Sequence, residues 1–146
     1  MDHAPAHTIT VNQELVLLTT RCTSEDSFDV LLRMLNWISI TEIDEIERIT
    51  EKSFQKPQIL FKHSTRCGTS SLVLNRLERA SDIPDADFYF LDLIRYRKVS
   101  DKIAELFNVY HESPQILLIK NGECHYEESH LGIDMFELSD QVAGLN

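Results

Sequence analysis

The hydrophobic positions of this chain first follow a helical period, from Thr41 to Phe54. The apolar face of this predicted first helix consists of Ile43, Ile46, Ile49 and Phe54. Thr41 followed by Asp44 resembles a capping box at its start, and Pro57 stops it.

Short, continuous apolar runs then predict strands that are covered on both faces. These runs are QILF at 58–61, FYFLDL at 88–93 and QILLIK at 115–120. Asn121-Gly122 is a strong hairpin signal after the third run. On the returning strand the alternating positions are Cys124, Tyr126 and Glu128.

Three further helices are predicted between and after these strands. Their apolar positions are Val73, Leu77 and Ala80 in the first, and Val99, Ile103, Leu106 and Phe107 in the second. GIDMFELSDQVAGL at 132–145 predicts a closing helix. The order α-β-α-β-α-β-β-α indicates an α/β fold, with a central mixed four-stranded sheet flanked by helices.

The first 33 residues differ from the rest, because HTITVNQELVLLTT allows a strand but RCTSEDSFD has no clear period. We therefore interpret 1–33 as an N-terminal extension of doubtful order and 34–146 as the domain, with Met34 as a start site. The 146 residues suffice for one core, and we expect a monomer.

Charge and hydropathy exclude several classes of partner. The net charge of −10 and the pI near 4.9 argue against nucleic acid as a partner, since phosphate binding needs a basic face. No stretch approaches the roughly 18 apolar residues of a membrane span. Asp2 stands where a secretory signal would have basic residues.

The cysteines point to a reducing compartment. Cys22, Cys67 and Cys124 are far apart, odd in number and form no CxxC or Cys/His ligand cluster. We therefore expect a cytoplasmic protein without a bound metal.

Cys67 is the candidate nucleophile, because it lies between a predicted strand and a predicted helix. The free amides of the first turn, from Gly68 through Thr69 to Ser70, would stabilise its thiolate. Ser70 stands where a redox pair would have its second cysteine, so an external thiol must release Cys67. Arg66 adds a nearby positive charge.

The order of elements resembles that of thioredoxin-like domains, and this resemblance implies a cis-proline facing the cysteine at Ser113-Pro114. From about Asn36 to Met135 the chain resembles the YtxJ-like family of bacillithiol-system proteins, the monothiol bacilliredoxins. The matching segments are MLNWI, FKHSTRC with Ser70, FYFLDLIRYRKVSDKIAELFNVYHESPQILLIKNGE and ESHLGI. The family usually has Cys-Pro-Ile-Ser where this chain has Cys-Gly-Thr-Ser, which keeps the monothiol arrangement.

The resemblance implies a cytoplasmic bacterial protein that removes bacillithiol from mixed disulfides on bacillithiolated cytosolic proteins. Bacillithiol, the low-molecular-weight thiol of the reaction, carries a malate, so cations should bind it. The candidate cations are Lys62, Arg66, Arg95, Arg97 and Lys98, although the last three also fit a solvated connector. Ser113 and Pro114 would hold the client's main chain.

Other residues and functions stay open at this point. His63 and His111 are candidate general bases, but a packed or solvated role is favoured for both. Cys124 fits a structural cysteine better than a resolving thiol. CGTS also resembles the Cys-Gly-Phe-Ser of monothiol glutaredoxins, which carry iron–sulfur clusters, and a non-catalytic adaptor would keep the fold without a reactive thiol.

Overall fold

The computed structural model describes residues 35–145. The predicted extension over 1–33, the start at Met34 and Cys22 lie outside the described residues. The strands are β1 (Trp37–Ser39), β2 (Gln58–His63), β3 (Asp87–Asp92), β4 (Gln115–Lys120) and β5 (Glu123–Ser129). The helices are α1 (Asp44–Lys52), α2 (Gly68–Glu78), α3 (Arg97–Phe107) and α4 (Met135–Ala143), with a 3-10 turn over His130–Gly132.

The strands form one mixed sheet in the order β1-β3-β2-β4-β5. β3 pairs in parallel with β1 and β2, whereas β4 is antiparallel to both β2 and β5. The predicted mixed α/β sheet is confirmed, but it has five strands rather than four. The additional strand, β1, has three residues and no alternation of its own, so only its pairing with β3 defines it.

Helices cover both faces of the sheet, which therefore has an apolar core on each side. Ile46 and Ile49 of α1 and Ile103 of α3 pack on one face with Leu60 and Leu117. The other core contains Val73 and Leu77 of α2, Leu138 and Val142 of α4, and Ile59, Phe61, Phe88, Ile116 and Leu118 of the sheet. Trp37 packs against this second core, with ring centroids 5.6 Å from Phe61 and 5.8 Å from Phe88.

The first helix is shorter than its hydrophobic period predicts. Ile43 and Phe54 lie outside α1 and are 42% and 62% exposed. The carboxylate that binds the free amides at the start is Glu45, which accepts from Thr41 N at 2.7 Å and from Glu42 N at 2.9 Å. The capping box with Asp44 is therefore wrong, because the N-cap is Ile43, two residues after Thr41, and Glu45 rather than Asp44 reaches back to the Thr41 amide.

The hairpin between β4 and β5 turns at Asn121 and Gly122, which have φ of 52° and 80°. The amide of Gly122 donates to Ser53 Oγ at 2.8 Å, which joins the hairpin to the end of α1. In α4, Asp134 caps the helix by accepting from Phe136 N at 2.9 Å. None of the helices within 35–145 is both long and apolar enough to span a bilayer.

Candidate active site

Cys67 is the residue at which strand β2 passes into helix α2. It is the N-cap of α2, with extended backbone angles, and its carbonyl accepts from Ser71 N at 3.3 Å. Its own amide donates to Ser64 O at 3.2 Å, which closes a tight turn over 64–67. The side chain is half-buried and forms no disulfide. The helix therefore begins directly beside an accessible sulfur.

Neutral donors of the first helical turn stabilise the thiolate of Cys67. The backbone amide of Ser70 lowers the pKa of Cys67 most, and the Ser70 hydroxyl and the amide and hydroxyl of Thr69 lower it further. Desolvation opposes these hydrogen bonds in part, but the pKa remains below its ordinary value. Gly68 is exposed, and a Cβ at this position would meet no atom within 4 Å. Space is therefore open beside the sulfur.

Ser70 connects the turn over 64–67 to the helix. Its side chain is fully buried, and its hydroxyl accepts from Ser64 N at 3.3 Å while it also serves the thiolate. A hydroxyl can hydrogen-bond a thiolate but cannot displace a thiol from a disulfide. The position that a second redox cysteine would have is thus occupied by the Ser70 hydroxyl, which can stabilise the Cys67 thiolate but cannot attack a disulfide.

The second loop at this edge of the sheet contains Ser113 and Pro114, joined by a cis peptide bond. Gln115 is the register partner of Lys62 at the carboxyl end of β2, so this loop lies at the same sheet edge as Cys67. Pro114 O accepts from His130 N at 2.9 Å. Within residues 35–145 the main chain of Ser113 has no backbone partner, which leaves its amide and carbonyl available.

Lys62 does not lie at the surface with the other cations. Its side chain is 0% exposed, and its Nζ donates to Gln115 Oε1 at 2.8 Å and contacts His111 Nδ1 at 3.2 Å. Burial, and then the charge of Arg97, lowers the pKa of Lys62 to about 8. The expectation that Lys62 meets an anionic substrate in solvent is therefore wrong, since β2 is buried along its whole length.

The remaining candidate cations are exposed. Arg66 lies in the turn before Cys67. The guanidinium of Arg95 lies 5.4 Å from the ring centroid of Tyr96, and Arg97 Nε donates to Asp101 Oδ1 at 3.1 Å. A cavity of about 410 Å³ beside them is lined by Thr41, Glu42, Ile43, Arg95, Tyr96, Arg97, Lys98 and Val99. Three cations thus share one cavity after the carboxyl end of β3, which is the parallel neighbour of β2.

The two candidate histidine bases do not contact the sulfur. His63 is buried, its ring centroid is 5.1 Å from that of Phe90, and neither ring nitrogen has a hydrogen-bond partner within the described residues. Burial lowers the pKa of His63, which favours the neutral ring. Burial, and then the charge of Lys62, also lowers the pKa of His111. His63 thus packs against Phe90, and His111 contacts Lys62.

Cys124 has the properties of a structural cysteine. It packs against the core on β5, its Sγ contacts Tyr126 O at 3.4 Å, and burial raises its pKa to about 11. Such a thiol is almost fully protonated at neutral pH and is a poor nucleophile. Within residues 35–145, no group of three or more His, Cys, Asp or Glu side chains is placed to hold a metal ion.

Two supporting residues were missed at the level of sequence. Arg76 of α2 donates through Nη2 to Leu131 O at 2.9 Å and to Ile133 O, which attaches the helix of Cys67 to the 3-10 turn. Gln115, the first residue of β4, accepts from Lys62 Nζ and donates to Tyr110 O in the loop over 110–114. Lys62 directly follows an apolar run that is expected to be buried on both faces, so the sequence does indicate that it needs a polar partner such as Gln115. No sequence feature indicates the role of Arg76.

Solved structures with this arrangement of strands and helices are thioredoxin folds. One, described as a candidate oxidoreductase with a thioredoxin fold, is 31% identical, with a TM-score of 0.62 over 71% of this chain and 91% of that chain. The thioredoxin of Malassezia sympodialis is 18% identical, with a TM-score of 0.59 over 75% and 90%. That of Trypanosoma brucei brucei is 13% identical, with a TM-score of 0.61 over 77% and 93%. The last two show the fold alone.

A family model adds the class of chemistry to the fold. The model of the monothiol bacilliredoxin BrxC matches residues 38–138, a segment that contains Cys67, Ser70 and the loop with Pro114. Together with the thioredoxin-fold relative, this match supports a thiol redox function for the chain. Because the matched segment spans more than half of the sequence, the chain belongs to the monothiol bacilliredoxin family, BrxC.

Proposed function

We propose that this chain is a thiol–disulfide oxidoreductase that removes bacillithiol from mixed disulfides on client proteins in the cytoplasm, with Cys67 as its single nucleophile. The observation that carries the proposal is the Cys67 sulfur, stabilised as a thiolate by Ser70 and Thr69 and accessible at the start of α2. The family match supports the same chemistry.

The reaction needs two thiol–disulfide exchanges. The Cys67 thiolate attacks the bacillithiol sulfur of the mixed disulfide, which forms a Cys67–bacillithiol disulfide and releases the client thiolate. A second bacillithiol thiolate then attacks the bacillithiol sulfur of this adduct. That step yields oxidised bacillithiol and returns Cys67 as a thiolate. Ser70 has no thiol, so the second step requires the external thiol.

The client's main chain would bind at Ser113, beside the cis-proline. Its unpaired amide and carbonyl suit an extended segment that adds alongside the loop. The malate of bacillithiol would bind the exposed cations. Arg66 adjoins Cys67 in sequence, and Arg95, Arg97 and Lys98 line the cavity after β3. Carboxylates and guanidinium groups pair with two parallel hydrogen bonds, which favours the arginines.

Incubation with oxidised bacillithiol and, separately, with oxidised glutathione tests the proposal by intact mass. We expect a bacillithiol adduct on Cys67 that forms faster than the glutathione adduct. A bacillithiolated peptide should lose its modification with the native chain and keep it with the Cys67→Ser variant. Release by Cys67→Ser at the native rate would contradict the assignment.

Charge reversal tests the malate site separately. We expect the Arg66→Glu and Arg95→Glu variants to slow transfer of bacillithiol more than transfer of glutathione. Exposed charge pairs contribute up to about 1 kcal/mol each, and reversal adds a repulsion of similar size, so each variant should slow transfer by up to about thirtyfold. Arg79→Glu, at the far end of α2, is the matched control. If all three variants transferred bacillithiol at the same rate, the proposal that Arg66 and Arg95 bind the malate would be contradicted.

A further inference from the structure

Lys62 is a lysine in a position that the fold would otherwise fill with an apolar side chain. It lies on buried strand β2, two residues after Leu60, so the two side chains share one face of the sheet. That face is the apolar core of Leu60 and Leu117. Removal of an ammonium group from water has a large free-energy cost unless hydrogen bonds replace the lost solvent. The presence of Lys62 therefore requires a specific set of partners.

The partners that Lys62 contacts directly flank the cis-proline: His111 lies in the loop over 110–114, and Gln115 is the first residue of β4. Its Nζ donates to Gln115 Oε1 at 2.8 Å, and His111 Nδ1 lies 3.2 Å away. A charged ammonium group can only donate, so His111 Nδ1 accepts when Lys62 is protonated. Ser100 Oγ of α3 also lies 3.3 Å from this nitrogen. Lys62 thus contacts one residue before the cis-proline and one residue after it.

Gln115 extends this contact to the start of the loop. Its side-chain amide donates to Tyr110 O at 2.8 Å and to Glu127 Oε2 at 2.9 Å. On the outer side, His130 Nε2 pairs with Glu112 Oε2 at 3.0 Å. The main chain of Ser113 and Pro114 is therefore held from inside the sheet through Lys62 and from outside through His130.

We propose that Lys62 is a positioning residue for the client: its hydrogen bonds to Gln115, at the start of β4, and to His111 hold the loop over 110–114 in the conformation that accepts an extended segment beside Cys67. This inference rests on the proposed function, because the loop is the predicted client site. Lys62 is fully buried and its side-chain contacts are with His111 and Gln115, so it would act on the client only through the loop.

The Lys62→Met variant distinguishes a positioning role, which predicts a higher KM, from a merely structural role, which predicts an unchanged KM. An apolar replacement of a buried charge is often neutral or stabilising, so the variant should fold. If Lys62 positions the loop, the KM for a bacillithiolated peptide should rise about fivefold or more while kcat stays within about twofold. The rate of Cys67 alkylation as a function of pH should not change, since Lys62 is not among the groups that lower the pKa of Cys67.

Amide exchange of the loop provides a readout that does not depend on catalysis. In Lys62→Met, the peptides that cover 108–116 should exchange about tenfold faster or more than in the native chain. Lys102→Met is the matched control, because Lys102 is an exposed lysine of α3 that pairs with Glu105. The control should leave both the exchange of the loop and the KM unchanged.

A second variant tests whether Lys62 acts through Gln115. Gln115→Met should raise the KM as Lys62→Met does, and the double variant should raise it no further than the larger single effect. Additive effects, an unchanged KM or unchanged exchange in Lys62→Met would overturn the proposal. If the native chain releases no bacillithiol from the peptide, the proposed function fails. Amide exchange in the loop would then still show whether Lys62 holds the loop in position.

Discussion

At the scale of single residues, the candidate chemistry depends on the few groups that lower the pKa of the Cys67 thiol. The groups that lower its pKa most are the neutral amide and hydroxyl donors of Ser70 and Thr69, rather than the adjacent guanidinium of Arg66. Neutral donors are hardly screened by salt, in contrast to exposed charges. The nucleophile should therefore keep its reactivity over a range of ionic strength.

The Ser70→Ala variant is expected to raise the pKa of Cys67 and to slow its alkylation at pH 7. Hydrogen bonds to charged acceptors are strong enough that the loss of one should slow alkylation about tenfold below the thiol pKa. The folded-state pKa of Cys67 is lowered, so the thiolate contributes stability above the ordinary pKa and loses it as pH falls through the lowered value. That contribution should shrink in the variant.

Iodoacetamide alkylation followed by peptide mass, measured from pH 5 to pH 9, checks this prediction. Ser71→Ala is the control, because Ser71 is the exposed neighbour on the same helix and is not among the groups that lower the pKa of Cys67. Melting temperatures must accompany the rates, since Ser70 also binds the amide of Ser64. An unchanged profile in Ser70→Ala would assign the lowered pKa to the backbone amides alone.

At the scale of elements, helix α2 has to stay in register with the loops that surround the sulfur. Its buried residues Val73 and Leu77 pack into the second core, and Arg76 attaches it to the 3-10 turn over His130–Gly132. The same turn contributes the amide of His130 to Pro114 O. Arg76 thus connects the helix of Cys67 to the segment that also supports the cis-proline.

The Arg76→Ala variant should lower the free energy of unfolding by about 1 kcal/mol, because two hydrogen bonds from an exposed guanidinium are lost. Urea denaturation measures this change. Arg79→Ala is the matched control, since Arg79 is an exposed arginine at the end of the same helix. Equal midpoints for the two variants would show that the bonds of Arg76 contribute no stability.

At the scale of the whole molecule, the buried Lys62 makes the free energy of unfolding depend on pH in the alkaline range. Burial lowers the pKa of Lys62 from 10.5 to about 8, so between these values the unfolded chain binds more protons than the folded one. The contribution of Lys62 to the unfolding free energy therefore rises with pH across this window. The charged groups that act on it are Arg97, Asp101, Glu112 and Glu127, and His111 contacts it directly.

Comparison of the native chain with Lys62→Met isolates this contribution. Other groups change their protonation in the same range, including Cys124, whose pKa is raised to about 11 by burial. The unfolding free energy of the native chain minus that of Lys62→Met should become more positive from pH 7.5 to pH 9.5. Chemical denaturation at both values measures it, and Lys102→Met should give no such trend. A constant difference would mean that Lys62 keeps its ordinary pKa in the folded state.

Several features of this protein were determined by the sequence alone, because they depend on neighbours within a few residues. The long strands and helices follow from apolar spacing and from Asn121-Gly122, and Cys67 at the start of a helix follows from the break between QILF and Val73. The family resemblance predicted the thioredoxin fold and a thiol redox function, and the family match and solved structures confirm both.

Only the tertiary structure decided the features that depend on residues far apart in the chain. β1 becomes a strand because β3 lies beside it, and Lys62 becomes buried because Gln115, 53 residues later, is its partner. Arg76 meets Leu131 across 55 residues. Local patterns carry no information about such pairs, since the hydrogen bonds exist only after the sheet and its helices have assembled.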